Sequence, residues 1–222
     1  MSSGSAAGMR LLAVMALGLG LLVAQPAMSM QDTENKDICR TEILRAEKKN
    51  RFPRYLFLAI AQAESGIWRK RERDVIAWPW TVYAEGRGRR YASKEEAIAA
   101  VRALRARGVR NIDVGCMQVN LRHHAAAFSS LEEAFDPAVN TAYAAGFFGR
   151  LFRETRSWTR SVRFYHSRNV EKSRPYQRRV FRLWQEERRR QARLLAARVR
   201  EQAAARRAAY LARYGNRLRK RS

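Results

Sequence analysis

Glu64 is the residue of this 222-residue chain whose position most suggests chemistry. It is the only acidic side chain between Arg51 and Arg71, and it directly follows the apolar run Tyr55–Ala63. Burial raises the pKa of a carboxyl group, and the negative end of a helix dipole acts in the same direction. A carboxyl that keeps its proton near neutral pH is what a general acid requires. The alternative is an ordinary exposed glutamate at a helix end, or one paired with Arg69 or Arg71.

Two later segments add side chains that could complete a site. Gly115–Asn120 reads GCMQVN, and Phe164–Ser167 reads FYHS at the end of a predicted helix. With the preceding Glu64-Ser65-Gly66, this order resembles the family 1 lytic transglycosylases, whose soluble lytic transglycosylase (SLT) domain has a lysozyme-like fold. That family carries a Glu-Ser pair, then a Gly-Leu-Met-Gln-type motif, then an Ala-Tyr-Asn-type motif. The resemblance covers about Cys39 to Trp184.

The resemblance implies a role for each matching residue of the first two motifs. Glu64 matches the catalytic acid and base, and Ser65 matches a hydroxyl that helps to hold the reacting sugar. Met117 and Gln118 match the pair that lines the glycan cleft. Asn120 ends the same motif and is a further substrate-binding candidate.

The third motif matches less completely. Tyr165 matches the tyrosine that hydrogen-bonds the catalytic carboxyl, whereas Phe164 and His166 replace the flanking alanine and asparagine. In the second motif, Cys116 replaces the usual apolar residue. The tyrosine, which has the assigned chemistry, is kept.

The implied reaction cleaves the β-1,4 bond from N-acetylmuramic acid to N-acetylglucosamine in peptidoglycan and leaves a 1,6-anhydro end. Glu64 would protonate the glycosidic oxygen and, as a carboxylate, deprotonate the C6 hydroxyl of the same muramyl residue. A hydrolytic glycosidase normally needs a second carboxylate. Asp74, Glu85 and Asp113 are the candidates for it if the protein is a muramidase of the same fold. A non-catalytic protein that binds the cell wall is the third possibility.

The two cysteines exclude a disulfide-dense scaffold and a Cys₄ zinc site. Cys39 and Cys116 could form one disulfide in an oxidising compartment, or remain two buried thiols. Cys116 with one of the three histidines would suggest a cysteine peptidase, but nothing around it resembles a peptidase nucleophile motif. The adjacent His123 and His124 lie on different helix faces and make a poor metal pair. We therefore expect neither a metal nor a cofactor.

The first 29 residues have the three parts of a secretory signal peptide. Leu11–Val23 carries no charge, and Ala24–Ser29 supplies a proline and small residues, so we expect cleavage before Met30. As a helix the apolar run would rise only about 20 Å, short of the roughly 30 Å hydrocarbon core of a bilayer. The sequence thus predicts a periplasmic or secreted protein and argues against nucleic acid as its partner.

The formal charge of +25 at pH 7 predicts attraction to anionic partners. Residues 30–184 hold +14 of it and residues 185–222 hold +10. The tail is rich in alanine and arginine, which favours a helix, and Leu211, Tyr214 and Leu218 form a thin apolar stripe on it. It could bind an anionic membrane or the cell wall, dock on an envelope-spanning secretion or flagellar assembly, or be a solvated helix.

The elements that must position the candidate residues are mainly helices. Helix periodicity, capping residues and helix-stopping glycines predict helices over 37–49, 53–66, 93–108, 137–154 and 157–165, and from 173 into the tail. Thr81–Ala84 and Arg90–Ala92 flank a turn and predict a hairpin. Just before it, Trp78 and Trp80 could stack on sugars or pack in a core.

We therefore predict a mainly α, lysozyme-like fold with a small β-hairpin subdomain and a basic helical C-terminal extension. The domains expected are a signal peptide over 1–29, a transglycosylase domain over 30–184 and the basic tail over 185–222. The family resemblance implies that glycan strands of peptidoglycan are the partner. Composition alone shows only that the chain is too apolar to be wholly disordered, since 46% of its residues are hydrophobic.

Overall fold

The computed structural model describes the backbone of residues 28–70 and 73–219. The predicted signal peptide lies outside these residues up to position 27. In chain order the elements are α1 Met28–Lys49, α2 Leu56–Ser65, β1 Gly66–Arg69, β2 Asp74–Ala77, β3 Thr81–Ala84, β4 Arg87–Arg90, α3 Lys94–Ala106, β5 Ile112–Val114, β6 Val119–Asn120, α4 Leu131–Ala134, α5 Pro137–Thr155, α6 Trp158–His166 and α7 Val170–Arg219. The predicted mainly α fold with a small β subdomain is confirmed.

The helix α2 is the centre of the larger core. Its residues 56–63 are all buried, as expected for a helix without a polar face. It begins at Leu56, three residues later than Pro53 predicted, because the Leu56 N–H bonds the Pro53 carbonyl in a preceding turn. Glu47 of α1 then caps it, since its carboxylate accepts the backbone N–H groups of Tyr55 and of Phe57 (3.1 Å).

The helix α1 begins at Met28, well before the predicted Asp37. Residues 28–36 contain neither glycine nor proline, so nothing in the sequence stops the helix from continuing toward the N-terminus. The starts predicted at Ser93 and Ser157 agree with the structure. Ser93, Ser157 and also Ser130, before α4, accept the backbone N–H of the third residue that follows each of them, as N-caps do. The last helix begins at Val170, three residues before its predicted start.

The β subdomain is larger than the one predicted hairpin. A four-stranded antiparallel sheet has the order β4-β3-β5-β6, with Val82 opposite Val114 in the central pair. A separate antiparallel pair, β1-β2, directly follows α2 with Ile67 opposite Ile76. Gly66 joins α2 to this pair in extended backbone, and a Cβ there would lie 2.1 Å from the Gln62 carbonyl oxygen. The glycine is therefore needed for a close approach, not for a left-handed helix stop.

The buried apolar residues form two hydrophobic cores. One joins α1, α2, α5 and the first part of α7, and its large members include Phe57 and Phe148. The other lies under the sheet against α3 and includes Trp78 and Trp80. Both tryptophans are thus core residues, and the Trp78 indole N–H donates to the Tyr91 carbonyl at 2.8 Å.

The helix α7 runs without interruption across the predicted boundary between residues 184 and 185. Glu187 is 2% exposed and accepts hydrogen bonds from Arg40 at 2.6 Å and from Arg190. Arg190 also pairs with Asp74 of β2 at 2.8 Å. The packed domain therefore extends at least to Arg190. No helix among the described residues is both long and apolar enough to cross a membrane.

Candidate active site

A cleft of about 850 Å³ lies between the helical core and the β sheet. Glu64, at the end of α2, reaches it from one side, and Tyr83 and Asp113 of the sheet reach it from the other. Helices α5 and α6 supply an aromatic wall that includes Phe147 and Tyr165. The remaining lining residues are Asn111, Gln118, Val119, Asn120, His123, His124, Tyr143, Ala144, His166 and Arg168.

Glu64 holds its proton more tightly than an ordinary glutamate. Burial raises its pKa to about 7, and the nearby negative charge of Asp113 acts in the same direction. A hydrogen bond from Tyr176 and the positive charge of Arg179 lower the pKa but do not cancel the effect of burial. Near neutral pH the group is therefore divided between acid and carboxylate, as a group that donates and then accepts a proton requires.

The hydrogen bond to this carboxyl comes from Tyr176, not from Tyr165 as the motif implied. The Tyr176 hydroxyl donates to Glu64 Oε1 at 2.6 Å from the first turns of α7. The Tyr165 hydroxyl donates instead to the Met117 carbonyl at 2.9 Å. Tyr165 still lines the cleft, but its hydroxyl fastens α6 to the second motif. The ring of His166 stacks on Tyr176, with centroids 4.5 Å apart.

Ser65 and Met117 are both completely buried. The Ser65 hydroxyl donates to the Cys116 carbonyl at 2.7 Å, so it links the end of α2 to the second motif instead of facing a sugar. Met117 packs in the larger core, and its backbone carries the contacts to Tyr165 and Asn140. In this structure both residues support the cleft from behind.

Gln118 and Asn120 both line the cleft. The Gln118 amide N–H₂ group donates to the carbonyls of Thr81 and Gly115, each at 3.1 Å. The Asn120 amide donates to Asp113 at 2.8 Å. Burial raises the pKa of Asp113, although the Asn120 hydrogen bond opposes this. Asp113 is thus a second cleft carboxyl, close enough for its charge to affect Glu64.

Asn140 of α5 holds the second motif in place. Its carbonyl oxygen accepts the Met117 N–H at 3.0 Å, and its amide donates to the carbonyls of Val114 and Ala134 at 3.1 and 2.9 Å. Gly115 lies against it with φ +83°, and a Cβ there would come within 2.5 Å of the Asn140 amide nitrogen. Glycine is therefore required at this position by both conformation and space.

The two cysteines form a disulfide between α1 and the second motif. Cys39 and Cys116 are both fully buried. The bond therefore anchors the loop whose carbonyls receive Ser65 and Tyr165. A sulfur held in a disulfide is not a free nucleophile, so the structure gives no support to a cysteine peptidase.

Replacing Cys39 and Cys116 together by alanine should lower the free energy of unfolding by about 4.5 kcal/mol, because the bond closes a chain separation of 77 residues. Thermal unfolding followed by circular dichroism should show a midpoint lowered by about 10 °C. Thermal unfolding of the native chain in the presence of dithiothreitol, which reduces the disulfide, should give the same lowered midpoint. The reductant should not change the midpoint of the double variant. An unchanged midpoint for the reduced native chain would contradict the prediction.

Other candidate residues lie away from the cleft. Asp74 is engaged by Arg190, and Glu85 is an exposed residue paired with Arg107 at 2.7 Å. Of the three carboxylates considered for hydrolysis, only Asp113 lines the cleft with Glu64. Among the described residues, no group of three or more histidine, cysteine, aspartate or glutamate side chains converges as a metal site would require.

Tyr176 and Asn140 are site residues that the sequence motifs do not indicate. Tyr176 lies 112 residues from Glu64 along the chain and belongs to none of the three motifs. Asn140 sits in the first turn of a helix, where an asparagine is unremarkable in composition. A polar residue predicted on the buried face of α5 is the one signal that could have found Asn140.

The comparison with protein families agrees with this geometry. Residues 42–179, more than half of the chain, match the family model described as the transglycosylase SLT domain. They include the cleft carboxyls, the second motif and both tyrosines of the site. No curated protein and no solved structure matches the chain. The chain therefore belongs to the transglycosylase SLT domain family and has its general function, the processing of peptidoglycan in the manner of a lytic transglycosylase.

Proposed function

We propose that the protein cleaves the β-1,4 bond between N-acetylmuramic acid and N-acetylglucosamine, with Glu64 as its single acid and base and a 1,6-anhydro end as product. The observation that carries the proposal is the Glu64 carboxyl, which lines the cleft and has a pKa of about 7. General acid and base catalysis of this kind contributes roughly 10²–10⁴ in rate.

The reaction consists of two proton transfers at one carboxyl. Glu64 donates its proton to the glycosidic oxygen as the bond from C1 to that oxygen breaks. The resulting carboxylate takes the proton of the C6 hydroxyl on the same muramyl residue, and O6 bonds to C1. The acid is thereby regenerated, and no water enters the product. The attacking hydroxyl belongs to the substrate, so a second enzymatic carboxylate is not needed.

Because Tyr176 donates to only one of them, the two carboxyl oxygens of Glu64 have different roles. The Tyr176 hydroxyl donates to Oε1, so that oxygen acts as an acceptor in both protonation states. The transferable proton therefore belongs on Oε2. When the carboxylate forms, the same hydrogen bond stabilises its negative charge. Tyr176 thus orients the carboxyl and keeps its pKa from rising further.

Hydrolysis is the second candidate reaction, and Asp113 is the observation that favours it. This carboxyl lines the same cleft as Glu64 and could activate a water or stabilise a cationic sugar. The mass of the muropeptides released from purified sacculi distinguishes the two reactions. Anhydro-muramyl ends support our proposal, and reducing ends would overturn it in favour of a muramidase. If no fragments are released, the protein is a wall-binding module.

Asp113→Asn sharpens this experiment. If Asp113 is a hydrolytic base, the variant should lose its products. If Glu64 acts alone, anhydro ends should persist, since the variant keeps a side chain of the same size beside Asn120.

The pH dependence of kcat/KM should report the Glu64 pKa. The first step needs the protonated acid, so kcat/KM should fall tenfold per pH unit above about pH 7. Tyr176→Phe removes a hydrogen bond that lowers this pKa, so the alkaline limb should move to higher pH. Clearing of sacculus suspensions across a pH series measures both profiles.

Tyr83→Phe is the matched control for this shift. Tyr83 lines the same cleft but is 43% exposed and belongs to the sheet opposite. Its replacement should leave the alkaline limb where it is. A limb that stays fixed or moves to lower pH in the Tyr176 variant would contradict the assigned role of that hydroxyl.

We also propose that the protein is exported, with its first 29 residues removed. The uncharged run Leu11–Val23 and the buried Cys39–Cys116 disulfide support an oxidising compartment. The protein recovered from a periplasmic fraction should begin at Met30 in an intact-mass measurement. A chain that keeps its leader and stays in the cytosol would contradict this.

A further inference from the structure

The last part of α7 projects from the packed domain with its apolar side chains uncovered. Leu195, Val199, Tyr210 and Leu211 are 64%, 57%, 55% and 50% exposed. Every residue from Ala192 to Arg213 is exposed to solvent. The first residues of the segment, up to Arg198, border grooves on the packed domain. The apolar side chains beyond them remain exposed and are available to a partner outside the chain.

Part of the apolar surface of this segment forms one continuous strip, and Leu194, Leu195 and Leu211 lie outside it. At 100° per residue, Val199, Tyr210 and Tyr214 fall within a sector of about 60°. The only other residues of 192–214 in that sector are alanines, namely Ala192, Ala196 and Ala203. The rings of Tyr210 and Tyr214 touch, with centroids 5.1 Å apart. The strip is about 33 Å long.

Arginines border the strip on both sides. Arg206 and Arg207 lie about 20° outside its two edges, and Arg200 and Arg213 follow close behind them. None of these four forms an ion pair with another described residue. The one acidic residue of the segment, Glu201, lies on the opposite side of the helix.

We propose that this strip, with its bordering arginines, binds the surface of an anionic phospholipid membrane. Long arginine side chains at the edge of an apolar strip can keep their charged ends at the headgroups while the strip enters the acyl boundary. Each arginine near such a surface adds to the attraction. The helix would lie in the plane of the interface.

Other occupants fit the pattern less well. An anionic wall polymer would attract the arginines but would leave Val199 and Tyr210 in water. A second copy of the helix would bring two segments with five excess positive charges each into contact, without acidic partners for them. The membrane surface is the partner that uses both the apolar strip and its charged borders.

Binding at the strip would also hold the cleft near the membrane. Tyr176, which bonds Glu64, and Tyr214, at the end of the strip, lie on the same helix about 57 Å apart. The enzyme would then work within roughly that distance of the lipid surface. This inference does not depend on which product the cleft releases.

Vesicle sedimentation tests the proposal. The sample is the full chain after processing, with its N-terminus determined by mass spectrometry. The probes are vesicles of equal parts phosphatidylglycerol and phosphatidylcholine, and vesicles of phosphatidylcholine alone. We expect binding to the anionic vesicles that weakens with salt. Val199→Gln with Tyr210→Gln should reduce it at least tenfold, and Arg206→Gln about fivefold. These positions are exposed, so the variants should fold normally.

Far-face variants are the controls. Ala205→Gln with Ala209→Gln, and Arg198→Gln, should each change vesicle binding less than twofold. All variants should release soluble glycan fragments at the native rate, which separates this test from that of the catalytic proposal. Equal binding to neutral vesicles, or native binding by the strip variants, would overturn the inference. Two further results would also overturn the inference. One is binding to sacculi but not to vesicles, and the other is a native dimer that dissociates when the strip residues are replaced.

Discussion

Glu64→Gln should lower the turnover of sacculi by about 10³-fold or more, because one side chain supplies both proton transfers of the proposed reaction. Glutamine has nearly the same shape, and its carbonyl oxygen can still accept the Tyr176 hydroxyl. The variant should therefore fold and still bind glycan. Soluble muropeptides, separated by chromatography and counted by mass spectrometry, give the measurement.

The same substitution should make the protein more stable above neutral pH. In the unfolded chain the Glu64 pKa is near 4.5, whereas in the native state it is about 7. Between these values the native state holds a proton that the unfolded state has lost, so native stability falls as the pH rises. Glutamine does not titrate, and at pH 8 it should raise the free energy of unfolding by about 3 kcal/mol. At pH 4 the two proteins should be equally stable.

Glu132→Gln is a matched control for both the turnover and the stability measurement. Glu132 is an exposed glutamate whose side chain pairs with Arg102 on the surface. Surface pairs contribute little, so neither turnover nor stability should change measurably at either pH. Turnover of the Glu64 variant above a few per cent of native would mean that another group is the acid. Equal stability of the native protein and the Glu64→Gln variant at pH 8 would mean that the Glu64 carboxyl does not keep its proton up to about pH 7 in the native state.

The Glu64→Gln variant should lose turnover and gain stability, and the two effects together show that a catalytic acid lowers the stability of the native state. A glutamate at the end of a buried helix raises its own pKa only because the charged form is destabilised there. The stability lost above neutral pH and the proton available to the substrate have the same physical cause. A residue selected for stability alone would be glutamine or a smaller polar side chain.

Much of this site was predictable because the relevant signals were local in sequence. Glu64 stood out as the only acid beside an apolar run, and the Ser-capped helices followed from short capping patterns. The family resemblance also rested on short motifs in order. Gln118 and Asn120, which the second motif contains, line the cleft.

What the sequence could not provide were contacts between distant residues of ordinary type. Tyr165 and Tyr176 are both tyrosines near helix ends, and only the packing of α6 and α7 decides which hydroxyl reaches Glu64. The β1-β2 pair was missed because its strands flank a charged segment and show little alternation. The change in charge at residue 185 falls inside α7, and the helix runs through it without interruption.

Asn140→Leu should lower the free energy of unfolding by about 4 kcal/mol. Leucine has a similar volume but cannot replace the three hydrogen bonds to Met117, Val114 and Ala134. The backbone groups of these residues would be left without their asparagine partner in a fully buried environment, at about 1–3 kcal/mol for each unsatisfied group. Thermal unfolding should show a midpoint lower by roughly 10 °C. Turnover should also fall, since the loop that Asn140 holds carries the carbonyls bound by Ser65 and Tyr165.

Thr141→Val separates the loss of hydrogen bonds from the insertion of an apolar group. Thr141 is the next residue of the same helix and is equally buried, but its hydroxyl has no hydrogen-bond partner among the described residues. Valine should therefore leave the free energy of unfolding unchanged or raise it by about 1 kcal/mol. If both variants lose the same stability, this part of α5 tolerates no substitution and Asn140 has no special role. If the Asn140 variant is as stable as the native protein, the three hydrogen bonds do not hold the second motif in place.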